Sequence, residues 1–200
     1  MQKSSQTLEI GGFVPLTTID FPGKLSSVVF CQGCPWHCVY CHNHDLRDFR
    51  AGHLDWKKIY DRLSKRKGFI DGVVFSGGEP TAQPGLAAAL TDTRSLGFLT
   101  GLHSNGMFPE RLEELLPLLD WVGLDIKAPF DERYDKITGA TDTARRVEKS
   151  LDILLAAGID LQLRTTVHPA YLDETALADI AATLSRKGAP ATVLQEYRKK

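Results

Sequence analysis

An α/β fold, a parallel sheet covered by helices on at least one face, is predicted by three observations. Short runs rich in β-branched residues alternate five times with segments of helical period. No linker or low-complexity tract interrupts the 200 residues, and a chain of that length buries roughly 70% of its unfolded surface in one core. Chemically distinctive residues follow directly after the β-like runs, where ligands of parallel sheets gather.

The strand runs are "SSVVFC" (26–31), "GVVFS" (72–76), "LTGLH" (99–103), "WVGLDI" (121–126), "IDLQLRTTV" (159–167) and "ATVLQ" (191–195). Between the first two, Trp56, Ile59, Tyr60 and Leu63 form an apolar stripe, with Asp55 placed to cap its start and Gly68 beyond its end. Pro84 is expected to open a second helix carrying Leu86 and Leu90 and stopped by Gly97, and Pro109 a third carrying Leu112, Leu115 and Leu116. Val147, Leu151, Leu154 and Leu155 stripe a fourth ending at Gly158, and Asp173 caps a fifth with Leu177, Ile180 and Leu184 inward. Right-handed crossovers make the sheet parallel. Six strands are too few for an eight-stranded barrel of about 250 residues. A partial barrel and an open doubly wound sheet both fit.

Charge is balanced, 24 Lys plus Arg against 25 Asp plus Glu, so the net positive field of a nucleic-acid binder is missing and no nucleic-acid partner is expected. The start, "MQKSSQTLEIGGF", has no apolar leader, and no run reaches the ~18 apolar residues that span a bilayer. A cytoplasmic, soluble protein without a membrane partner is expected. In a reducing compartment, clustered cysteines serve metals or redox chemistry rather than disulfides.

All four cysteines fall in "CQGCPWHCVYCHN", residues 31–43. The pairs Cys31/Cys34 and Cys38/Cys41 are formally a four-cysteine zinc set, but structural zinc pairs are commonly separated by about 12–20 residues. Dense cysteine runs are instead the habit of iron–sulfur clusters. Cys34, Cys38 and Cys41 alone make Cys-x3-Cys-x2-Cys with Tyr40 before the last thiol. Three thiolates on a four-iron cluster leave one iron open, and Cys31, ending a strand, is most simply a small buried side chain.

This spacing resembles the radical S-adenosylmethionine (SAM) superfamily, and Gly77-Gly78-Glu79-Pro80 stands where that family has Gly-Gly-Glu-Pro. More narrowly, "TTIDFPGKLSSVVFCQGCPWHCVYCHN" (17–43) resembles the activating enzymes of glycyl radical enzymes, in particular the anaerobic ribonucleoside-triphosphate reductase activating proteins; later motifs extend the likeness over about residues 10–197. Pyruvate formate-lyase-type activases commonly have Gly-Pro-Gly where Phe21-Pro22-Gly23 stands and an acid at the place of His103, so that branch fits less well. The resemblance implies a partial (β/α)6 TIM-type barrel, one radical SAM domain over 1–200 with an N-terminal extension and loop to about 25 and the barrel over about 26–197.

It implies further that a reduced 4Fe-4S cluster on Cys34, Cys38 and Cys41 gives one electron to SAM at its open iron. The resulting 5′-deoxyadenosyl radical takes a Cα hydrogen from a glycine of a partner enzyme, with flavodoxin or ferredoxin as electron donor. Expected SAM contacts are Glu79 to the ammonium, beside Gly77 and Gly78; Ser104 and Asn105 to ribose or carboxylate oxygens; Asp125 and Lys127 to ribose and carboxylate; Arg164 toward the cavity; and Tyr40 to the adenine through its backbone. Each has a plainer role beside it: a surface ion pair for Asp125 and Lys127, a partner in Asp160 for Arg164, and a turn for Ser104-Asn105-Gly106. Asp20-Phe21-Pro22-Gly23 resembles a loop that in related activases lies near the substrate glycine, and is read as a Pro-Gly type II turn positioned to meet the partner. Competing functions are a radical SAM enzyme acting on a small molecule, in the manner of 7-carboxy-7-deazaguanine synthase, and an iron–sulfur electron carrier in which all four cysteines ligate.

Overall fold

Seven strands form one sheet in the linear order β1 to β7. The structure, a computed structural model, describes residues 7–197. The strands are β1 Ile10–Thr17, β2 Ser26–Cys31, β3 Gly72–Gly77, β4 Leu99–Ser104, β5 Trp121–Asp125, β6 Asp160–Val167 and β7 Val193–Glu196. Helices α1 Trp56–Ser64, α2 Leu86–Ser95, α3 Pro109–Leu115, α4 Glu132–Thr138, α5 Thr143–Ala157 and α6 Glu174–Arg186 lie between them. From β2 onward every neighbouring pair is parallel, the open six-stranded half-barrel that the resemblance implies.

Two elements depart from the sequence expectation. β1 pairs antiparallel with β2, where only an extension and loop were anticipated. Gly11, Gly12 and Pro15 weaken its β signal, yet an edge strand tolerates proline, and the register shifts at both ends. The short α4 was also not anticipated, since its seven residues are mostly polar; Asp131 accepts from Arg133 N at its start and Gly139 ends it at φ 65°. Smaller adjustments follow from capping. Gly85 is the N-cap of α2, which puts Pro84 one residue outside the helix, and β7 begins at Val193 rather than 191. Asp55 and Asp173 cap α1 and α6 as expected, each accepting from a backbone N–H of the first turn.

Alternation along the strands divides the core. Val29, Val73, Phe75 and Val122 face the helices and join Leu63, Leu90, Leu112 and Leu151 in the main core. Val28, Val74 and Trp121 face the concave side and form a second cluster with Phe21. The Phe21-Pro22-Gly23 turn is type II, with Lys24 N donating to Phe21 O at 3.0 Å and Gly23 at φ 68°. Phe21 stacks on Trp121 at 5.4 Å and is 3% exposed, so this turn plugs the inside of the half-barrel. No helix among the described residues is long and apolar enough to cross a membrane.

Candidate active site

The C-terminal ends of the strands surround a cavity of about 380 Å³, a volume usual for ligand sites. Eleven of the twelve expected site residues line it: Cys34, Cys38, Cys41, Tyr40, Gly77, Gly78, Ser104, Asn105, Asp125, Lys127 and Arg164. The remaining one, Glu79, does not.

The cysteine loop owes its path to backbone pairing with its surroundings. Gln32 N donates to Glu9 O, Gly33 N to Leu46 O, Cys34 N to Arg47 O, and Gly78 N and Glu79 N to Cys31 O and Gly33 O, all at 2.8–2.9 Å. Gly77 adopts φ 109°, and a Cβ there would stand 2.5 Å from Cys31 N; a Cβ on Gly78 would overlap the Gly33 carbonyl. The two glycines are therefore needed for backbone to meet backbone beneath the loop.

Glu79 sits one layer behind the wall, fully buried. Oε1 accepts from Thr81 N at 3.0 Å, Ser104 Oγ at 2.9 Å and Thr81 Oγ1 at 2.5 Å, and Oε2 accepts from Asn105 N at 2.7 Å. Burial pushes the carboxyl upward from its ordinary range, while the bonds from Thr81, Asn105 and Ser104 pull it back. Every partner donates, which is the pattern of a carboxylate. In this structure Glu79 makes scaffolding contacts: it ties the Gly-Gly-Glu-Pro turn to Ser104-Asn105-Gly106, and Asn105 Nδ2 in turn donates to Cys34 Sγ at 3.7 Å.

The same cavity wall carries an ion triad. Asp125 Oδ1 accepts from Arg164 Nε and the guanidinium Nη2 at 3.1 and 2.9 Å, and Oδ2 from Lys127 Nζ at 2.9 Å. The three side chains are only 24%, 13% and 16% exposed, so this is no surface pair. Arg164 finds Asp125 across the sheet and not Asp160. Burial alone would raise the Asp125 carboxyl, but Arg164 and then Lys127 outweigh it and hold it below the usual range. Burial likewise disfavours the Lys127 cation, and Asp125 more than restores it. Two cations on one carboxylate leave a net positive charge facing the cavity, suited to an anionic group of a ligand.

Further lining residues escaped the sequence reading. Arg47 brings a second guanidinium whose Nε is buried without a hydrogen-bond partner, and Trp36 an indole in the same condition. Asn43 Nδ2 donates to Gly77 O at 3.2 Å. Tyr40 donates through its hydroxyl to Lys127 O at 3.3 Å and stacks on His168 at 5.7 Å, and His168 also packs against Tyr171 and Tyr197, so an aromatic cluster backs the Tyr40 side of the cavity.

His103 connects the cavity to the plug. Its Nε2 donates to Asp20 O at 2.9 Å, which leaves Nδ1 to accept from Ser76 Oγ at 3.2 Å. Burial, followed by the Arg164 cation, pushes its pKa down to about 3. An unfolded histidine takes a proton near 6.5, so protons bind the unfolded chain first and stability falls as pH drops below that value. Between pH 7 and pH 5 the wild type is expected to lose about 2 kcal/mol more than His103→Gln, which keeps a donor and an acceptor; urea denaturation at both pH values measures the difference.

Cys31 is 0% exposed, does not line the cavity and lies in the main core; burial drives its thiol far above the ordinary range. Burial also pushes Cys34 up to about 12 and Cys38 up to about 11. Among the described residues no three His, Cys, Asp or Glu side chains converge on a single-ion site. The three thiols rim the cavity, an arrangement suited to a cluster in which each thiolate takes a different iron.

Comparison with known proteins agrees with this geometry. Residues 28–181 match the model of the Radical SAM superfamily. A Methanocaldococcus jannaschii protein with the provisional name glycyl-radical enzyme activating enzyme is 31% identical over 197 residues, 96% of this chain and 80% of its own length. The pyruvate formate-lyase-activating enzyme of Clostridium pasteurianum is 34% identical over 161 residues, 78% of this chain and 66% of that one. Among solved structures, Streptococcus suis SuiB bound to precursor peptide SuiA superposes with a TM-score of 0.66 at 14% identity, covering 86% of this chain and 38% of that one, which speaks for the fold alone. The chain belongs to the radical SAM superfamily and, within it, to the glycyl-radical enzyme activating enzymes. Its cofactors are a 4Fe-4S cluster and SAM. The residues present fit them: three soft thiols on one rim, the unpartnered buried Trp36 Nε1 and Arg47 Nε, and a net positive charge from Asp125, Lys127 and Arg164 on the same cavity.

Proposed function

We propose that this enzyme installs a glycyl radical by removing a Cα hydrogen from a glycine of a partner protein, and that the partner is anaerobic ribonucleoside-triphosphate reductase. The observation that carries the reading is the single cavity that Cys34, Cys38 and Cys41 share with Asp125, Lys127 and Arg164. When bound, the cluster and SAM supply one-electron reductive chemistry at a sulfonium, with hydrogen abstraction as its outcome. Cys34, Cys38 and Cys41 would hold the cluster. Lys127 and Arg164 receive the methionyl carboxylate, with Asp125 keeping both cations in place. Ser104 and Asn105, positioned by Glu79, meet ribose or carboxylate oxygens, the backbone of Gly77 and Gly78 takes the ammonium, and Tyr40 orients the adenine. Flavodoxin or ferredoxin delivers the electron.

The segment over residues 17–43 supports the reductase as partner, whereas the name of the clostridial relative supports pyruvate formate-lyase. The test uses reduced, cluster-loaded enzyme and SAM incubated anaerobically with each partner in turn. A glycyl doublet in electron paramagnetic resonance with the reductase is the expected result. A doublet with the lyase alone replaces the partner, and SAM turnover without a doublet on either overturns activation in favour of a small-molecule substrate.

A further inference from the structure

Trp36 stands midway between two of the cysteines assigned to the cluster, two residues after Cys34 and two before Cys38. It is 1% exposed, meets Tyr134 edge to face at 6.1 Å, and contributes to the cavity wall. Its indole Nε1 is buried and has no hydrogen-bond partner. By contrast, Trp56 Nε1 donates to Asp92 Oδ2 at 2.8 Å.

An indole nitrogen can only donate, and a buried donor without an acceptor is unfavourable. Phenylalanine would fill this apolar contact with Tyr134 without that cost. The acceptors brought to this wall by the assigned cofactor are sulfurs, the bridging sulfides and the thiolates of Cys34 and Cys38. We infer that the Trp36 indole N–H donates a hydrogen bond to a sulfur of the bound cluster and thereby raises its reduction potential. The direction follows from charge, because the reduced cluster is the more negative state and gains more from a donor. Trp36 is thus a tuning residue for the electron-transfer step. The inference rests on Cys34, Cys38 and Cys41 as ligands.

Two measurements on the cluster-loaded enzyme, without SAM or partner protein, test it. In a mediator-poised titration followed by electron paramagnetic resonance, Trp36→Phe is expected to lower the ratio of reduced to oxidised cluster about tenfold at fixed potential, equivalent to about 59 mV for one electron. In the wild type labelled with 15N at the indole nitrogens, pulsed electron–nuclear measurements on the reduced cluster are expected to show coupling to one 15N and its exchangeable proton. The label excludes Arg47, whose Nε is also buried without a partner on this wall. A missing 15N coupling overturns the inference even if the potential shifts, since a shift alone also follows from altered solvent access. An unchanged potential in Trp36→Phe overturns it as well. If the variant takes up no cluster, the labelled wild type decides. Failure of the ligand assignment is distinguishable, because the four-iron signal would then survive alanine at Cys34, Cys38 or Cys41, or be lost in Cys31→Ala.

Discussion

Alanine at Cys34, Cys38 or Cys41 is expected to reduce bound iron and reductive SAM cleavage to background, while Cys31→Ala keeps both. The contrast is set by position. Three thiols rim the cavity, and Cys31 is sealed in the main core beyond reach of any ligand there. Loss of one buried sulfur leaves a small void, so Cys31→Ala is expected to cost about 1 kcal/mol of stability and nothing in cluster content. Iron and sulfide analysis, the visible charge-transfer band and methionine release measure the three consequences separately. An iron-free Cys31→Ala that is still folded would show four ligands and restore the electron-carrier reading.

The second large effect is expected at Asp125. Asp125→Asn leaves Lys127 and Arg164 side by side without their counter-charge, and breaking a buried pair in this way costs about 3 kcal/mol. The Asp125 side chain is 24% exposed, which places the cost at the lower end of what such changes produce. SAM affinity is expected to fall at least about tenfold, since the two cations no longer keep their fixed geometry. Isothermal titration with cluster-loaded protein and denaturant unfolding check the two effects. The pH window follows from the shifts. Asp125 is held below its unfolded value, so its contribution is present above about pH 4 and fades as pH falls through the native value. Lys127 is held above its unfolded value, so its contribution is whole below about pH 10 and is lost as pH rises further. The difference between wild type and Asp125→Asn should therefore be constant from about pH 5 to 9.

Much of the framework was readable from residue type and spacing. β2 and the ends of α1, α5 and α6 fall where β-branched runs, capping aspartates and closing glycines indicate. The strand-end rule collected eleven site residues on one cavity because a parallel sheet puts all those ends on one rim. What stayed hidden had physical reasons. β1 carries two glycines and a proline, which its edge position tolerates. The pairing of Arg164 with Asp125 spans 39 residues and depends on register between β5 and β6, which no local pattern reveals. Glu79 follows two glycines that turn it away from the cavity, so a carboxylate in a recognised motif became a buried tie. Trp36 and Arg47 lie in a loop without periodicity, and nothing in their spacing marks them as cavity residues.

The backbone pairing beneath the cysteine loop decides which substitutions would redirect the thiols. Five main-chain hydrogen bonds from Gln32, Gly33, Cys34, Gly78 and Glu79 set the loop's course. Main-chain donors are common to every residue except proline, so the path of the loop is written largely in groups that most substitutions keep. Proline at Gln32 or Gly33 would remove a donor and turn the thiols away from the cavity.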